Sequence, residues 1–275
     1  MYTILLSLGV TFVVIFFPML LGVGAQWTVL LGIILGIITF IWVGRRISRR
    51  IQAVTQASDQ ELAVLQQVAQ QRPNPKTQQI VDRKFDQAVE VLKQGFIFQK
   101  WQVGTGVMLN ARIGMLLFSK PMLLPKARIS EAIPYLEKAQ VTGLKAKLLK
   151  GMWPAWAMLG VAYYRTKRDL DDVKKVFDAA LKVVKNDGLL YSVYAWILLN
   201  EKRRDEAIEI MVLARKEVPS DERITENLTA LQNGKSMKMR AYGEQWYQFG
   251  LERPKAAQMQ QPQMSHPRSR GARRR

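Results

Sequence analysis

The sequence predicts an all-α protein in which a two-helix transmembrane hairpin precedes an α-solenoid of stacked helical pairs. Three observations predict it: two uncharged apolar runs of 19 and 17 residues close to the N-terminus, a block of arginines directly after the second, and small and large apolar residues recurring at helical spacing through much of the remaining chain. The 275 residues divide accordingly into a hairpin over 1–44, a basic junction and helical linker over 45–75, a repeat domain over 76–252 and a basic tail over 253–275.

The first run, Thr3 to Leu21, and the second, Trp27 to Val43, each approach the length that spans a ~30 Å hydrocarbon core. The few residues between them, Gly22 to Gln26, suffice only for a tight antiparallel connection. Trp27 and Trp42 sit where an interfacial aromatic belt is found, and Arg45, Arg46, Arg49 and Arg50 follow at once. Basic residues just beyond a span stay on the cytoplasmic side, so everything after residue 44 is expected there, most naturally at a bacterial inner membrane. Val23-Gly24-Ala25 has the small-residue character of a signal-peptidase site, but no Lys or Arg precedes it to form an n-region, which favours an uncleaved hairpin. Gly32 and Gly36 form a small-xxx-small pair that permits close helix approach, either to the first span or to another helix in lipid. Neither run contains an ionisable side chain, as an anchor requires and an ion path does not.

From 45 to 72 no helix breaker occurs, and Ile47, Ile51, Val54, Leu62, Leu65 and Val68 recur at helical spacing, interrupted by Ser58 and Glu61. An amphipathic stalk lying along the repeat domain or the membrane is expected, ended by Pro73-Asn74-Pro75.

Composition narrows the chemistry. With 48% hydrophobic residues the chain can bury a core. It has no cysteine and one histidine, His266, in a Pro-, Ser- and Arg-rich tail, so thiolate sites, zinc sites and histidine bases lack donors. Paired carboxylates and a nucleophile beside a base are not apparent either, and Gly104-Thr105-Gly106 lacks the third glycine and preceding strand of a nucleotide loop. The expectation is a binding protein without catalytic residues, cofactor or metal. The formal charge of +19 predicts attraction to anionic lipid, nucleic acid or an acidic protein.

The periodicity is clearest from Tyr191 onward, where Tyr191, Tyr194, Ala195, Leu198, Ala207, Met211, Ala214 and Pro219 recur at fixed offsets. Trp156, Leu159, Gly160 and Tyr163, followed by Val173, Phe177 and Ala180, repeat the arrangement upstream with one extra residue in the turn at Lys167-Arg168-Asp169. Fragments of it return as Ala132, Leu136, Ala139 and as Ala88, Leu92, Gly95, and helices near 222–233 and 237–250 are expected to form a capping repeat. These residues resemble the tetratricopeptide repeat pattern over roughly 77–250. In that family small residues let paired helices approach, aromatics fill the gaps, and the first helix of each pair lines a concave groove.

The resemblance places Ala157, Val161, Tyr164 and Arg165, then Ser192, Trp196, Leu199 and Asn200, towards the groove. Tyr164 and Trp196 are the preferred partner contacts, and Trp196 equally fits a core position. Ala157 and Val161 stand where the family's carboxylate clamp has Lys and Asn, which disfavours capture of a chaperone C-terminus. The acid-free tail ends in Arg268, Arg270, Arg273, Arg274 and Arg275 and suits anionic lipid or RNA. The architecture is also loosely similar to HemY-type proteins of haem-synthesis operons, which implies an accessory subunit of a membrane enzyme. The leading expectation is a membrane-anchored adaptor that gathers protein partners in its groove; a ribosome-, RNA- or lipid-binding role for the tail is the alternative.

Overall fold

The computed structural model describes residues 1–20, 25–69, 75–124 and 126–253, and every regular element among them is helical. Most of the expected hairpin connection, Pro73-Asn74 and the arginine-rich tail from 254 onward lie outside the described residues.

Helix α1 (Tyr2–Leu20) lies antiparallel against α2 (Ala25–Ala69). Both are long and apolar enough to cross a membrane. Gly32 and Gly36 serve this contact: a Cβ at Gly36 would strike the Thr11 hydroxyl, and one at Gly32 would lie 3.1 Å from the Thr11 carbonyl. The small-residue pair therefore packs the hairpin on itself. Outward, Phe12, Phe17, Leu30 and Ile38 are exposed, an apolar surface suited to hydrocarbon and ill suited to water.

Helix α2 does not stop where the hydropathy falls. It runs unbroken for 45 residues, roughly 68 Å at 1.5 Å per residue, because nothing after Val43 lacks an amide donor or breaks the i to i−4 ladder. Its second half lies along the rest of the fold. Val43, Ile47 and Ile51 pack against Phe98, Trp101 and Met108, while Leu62 joins Val81, Phe85 and Leu124. Glu61 pairs with Lys84 at 2.6 Å and Asp59 with Arg112 at 2.5 Å. Ser58, which interrupts the apolar stripe, is buried with its hydroxyl unpartnered.

Helices α3 (Pro75–Gln94), α4 (Thr105–Leu123), α5 (Ile133–Ala139) and α6 (Gly143–Leu148) follow. Gly104, with φ +87°, is the N-cap residue of α4. Lys120 is buried in α4. Burial opposes its charge, but Asp82 at 2.7 Å and Asp86 at 2.8 Å outweigh that and hold its pKa above the ordinary lysine value.

Two helical pairs come next, α7 (Trp153–Arg165) on α8 (Leu170–Leu181) and α9 (Gly188–Asn200) on α10 (Arg204–Glu217), then α11 (Glu222–Gln232). Asp169, Asp187 and Asp221 cap α8, α9 and α11 through side-chain bonds to backbone N–H groups at 3.0–3.3 Å. One turn recurs. α7, α9 and α11 each end on a left-handed residue, Lys167, Lys202 and Gly234, followed by a backbone bond back over the last turn: Arg168 to Tyr163 at 3.0 Å, Arg203 to Leu198 at 2.8 Å, Lys235 to Ala230 at 2.8 Å. A shared cap, repeated helical pairs and one continuous core give solenoid-like packing.

The reading of 237–250 as a capping helix is corrected. This stretch is a strap with a 3-10 turn at Met239–Tyr242 and a one-turn helix α12 at Glu244–Tyr247. Gly243 and Gly250, at φ +57° and +61°, bend it out of helical course.

Two substitutions test the packing by thermal unfolding of the full chain in detergent. Gly160→Val forces a side chain into the Phe177 ring and should cost about 1–3 kcal/mol. Lys202→Gly relieves a left-handed residue of its Cβ and should stabilise by about 1 kcal/mol.

Candidate partner-binding groove

The residues of the repeat pattern pack as small against large. Gly160 lies under the Phe177 ring, which stacks on Tyr194 with centroids 4.9 Å apart. Ala195, Ala207, Met211 and Ala214 are fully buried and Tyr191 almost so, while Pro219 is exposed beyond the end of α10. Trp156 is buried and donates its indole N–H to the Ala139 carbonyl at 3.0 Å, tying α7 to α5. Tyr163 donates to Glu137 at 2.6 Å, with the Arg168 guanidinium 4.2 Å from its ring centroid. Burial first, and the Glu137 carboxylate second, push the Tyr163 phenol up to about 12.

Of the predicted groove residues, Ala157, Val161 and Ser192 are buried, Tyr164, Trp196 and Leu199 are partly covered, and Arg165 and Asn200 are exposed. Tyr164 and Trp196 meet edge to face at 6.4 Å, so α7 and α9 do bring the preferred aromatics together. The surface they form is already occupied. Trp246 from the strap meets Trp196 at 5.3 Å and is itself fully buried. Asn200 spends one amide N–H on the Trp196 carbonyl at 2.8 Å.

The strap crosses the helices in reverse order. At α11, the Lys238 N–H donates to the Asn227 side-chain carbonyl at 2.6 Å. At α9, the Tyr242 and Ser192 hydroxyls share a 2.8 Å hydrogen bond beneath the Arg223 guanidinium, which lies 4.3 Å from the Tyr242 ring centroid. At α7 and α4, Gly250 comes so close that a Cβ there would lie 2.8 Å from Met122 Cε and 3.1 Å from Arg165 Nη1. Met239, Tyr242, Trp246 and Phe249 all join the main core. What remains open of the predicted groove is a rim built by Arg165 and Asn200, with Tyr164 and Leu199 behind. Although Arg165 is exposed as a residue, partial desolvation of its guanidinium holds its pKa below the ordinary arginine value.

Arg45, Arg46, Arg49 and Arg50 stand together on α2, directly above the apolar segment, and Arg46 lies over the Trp42 ring at 5.4 Å. Arg268, Arg270, Arg273, Arg274 and Arg275 lie outside the described residues. Among the described residues, no group of three or more His, Asp or Glu side chains is placed to hold a metal ion.

No family model matches the chain, and neither a curated protein nor a solved structure matches it.

Burial of Trp246 predicts that Trp246→Ala costs about 3–5 kcal/mol and raises amide hydrogen exchange across 237–251 before the helices respond. The strap also has a pH signature. Burial raises the Tyr242 phenol from 10.0 to about 12. A raised acid stabilises the fold fully below its unfolded pKa and loses that contribution as pH climbs to its folded one. Exchange protection of the strap should hold to about pH 10 and decline towards 12, and Tyr242→Phe should remove this component of the decline.

Proposed function

We propose that this chain is a membrane-anchored adaptor whose hairpin crosses the bilayer and whose helical pairs present a protein-binding surface at the cytoplasmic face. One observation carries the reading: the apolar span and the helix that packs along the solenoid are the same helix, α2. A partner held by the solenoid is thereby held at a fixed attitude to the bilayer. The arginines directly after the apolar segment favour the cytoplasmic side, as at a bacterial inner membrane. The small-against-large packing of α7 to α10 supports the tetratricopeptide reading of those helices, and repeats of that kind serve protein recognition. Because the strap fills the middle of the groove, the adaptor surface is the rim of Tyr164, Arg165, Leu199 and Asn200 together with the strap's outer side.

Alkaline extraction should leave the full chain in the membrane pellet and release a chain lacking residues 1–44. In vesicles, protease should reach the solenoid only when the cytoplasmic face points outward. Crosslinking from membranes should yield a defined protein set that Arg165→Glu and Asn200→Ala lose. Recovery unchanged by both substitutions rules out the rim as the contact surface. Trp196→Ala is the poorer probe, since it also strips Trp246 of its neighbour.

A further inference from the structure

Where α1 begins, the hairpin and the solenoid meet around a cleft of about 650 Å³, within the roughly 300–1,000 Å³ typical of small-molecule sites. One wall is a single face of α2. Ile41, Gly44, Arg45, Ser48, Arg49 and Gln52 recur at intervals of one, three and four, so they share one side of the helix and all line the cleft. The opposite wall is the loop Trp101–Val103, held against α1 by the Tyr2 N–H to the Lys100 carbonyl at 2.9 Å and the Thr3 hydroxyl to the Trp101 carbonyl at 2.7 Å. Ser48 bridges the two walls with a 3.3 Å bond to the Gln102 side-chain oxygen.

The two ends of the cleft differ in chemistry. Towards the spans it is lined by Ile4, Phe40 and Ile41, all exposed. Towards the solenoid stand Arg45 and Arg49, and none of the ion pairs among the described residues uses either. The other two arginines do not line it, and Arg46 is engaged over Trp42. At the centre, a Cβ on Gly44 would meet nothing within 4 Å.

We propose that this cleft binds one anionic phospholipid, its phosphate between Arg45 and Arg49 and the start of its acyl chains along Ile4, Phe40 and Ile41. Unpaired guanidiniums match phosphate oxygens in charge and geometry. The apolar end gives a free phosphate nothing to gain and an acyl chain a place to lie. The site rests on the membrane-anchored reading and adds to it a defined lipid ligand at the joint between anchor and solenoid.

The test uses the full chain in detergent, with lipid retention read by native mass spectrometry and flotation read on vesicles of phosphatidylglycerol or phosphatidylcholine. The wild type should retain phosphatidylglycerol over phosphatidylcholine. Arg45→Gln with Arg49→Gln should weaken retention by about fivefold for each arginine removed. Arg46→Gln with Arg50→Gln, the same change of charge outside the cleft, should leave it unaltered. Gly44→Phe should fill the cleft and lower retention at unchanged charge, with circular dichroism checking that each variant stays helical. Equal loss in both arginine pairs, equal retention of phosphatidylcholine, or displacement by equimolar inorganic phosphate overturns the site. A chain that floats with vesicles but retains no anionic lipid overturns the cleft alone; one that floats with neither vesicle overturns the anchor as well.

Discussion

Everything in this molecule hangs on the continuity of α2. A helix that passes from an apolar segment to a packed amphipathic one without a break has no hinge between the two, because each backbone N–H remains bonded four residues back. The contact of Val43, Ile47 and Ile51 with Phe98, Trp101 and Met108 converts this local stiffness into a fixed relation between hairpin and solenoid. The backbone bonds that hold the start of α1 to the 100–101 loop close the same joint from the other side. A flexible linker in place of this joint would leave the two parts free to reorient.

The second determinant is the strap. An open concave surface lined by Trp196, Tyr164 and Ser192 would expose aromatic area to water, and the chain covers it with its own Tyr242, Trp246 and Phe249. Part of the covering is polar: the buried Asn227 side-chain carbonyl receives the Lys238 N–H, although its amide nitrogen finds no partner, and Ser192 and Tyr242 satisfy one another. The floor of the groove is thereby closed, and Arg165 and Asn200 at its rim remain exposed.

How far the sequence reveals this depends on what each residue must do locally. Gly160, Ala195, Ala207 and Ala214 are readable because close approach of two helices tolerates only small side chains, and that demand recurs at fixed spacing. The two apolar N-terminal helices are readable from length and the absence of charge. Helix α4 is not: apolar on nearly all sides and carrying a buried Lys120, it shows no polar face against which a 3.6-residue period could register. The strap misleads for the opposite reason. Tyr242, Trp246 and Phe249 follow helical spacing, yet Gly243 and Gly250 adopt left-handed angles, and the groove supplies through tertiary contact the order that a helix would have supplied locally. Helical spacing alone sets Arg45 beside Arg49 and Arg46 beside Trp42, but only the 101–103 loop turns the first of these faces into a cleft.

Among the described elements the strap is also last in chain order, and it meets the helices from α11 back towards α4. During synthesis the hairpin leaves the ribosome before the solenoid is complete. For that whole interval Trp196 and its neighbours have no cover. Completion of the fold is thus timed by the arrival of residues 237–250, and until then the growing chain carries an aromatic face that other nascent chains or chaperones can find.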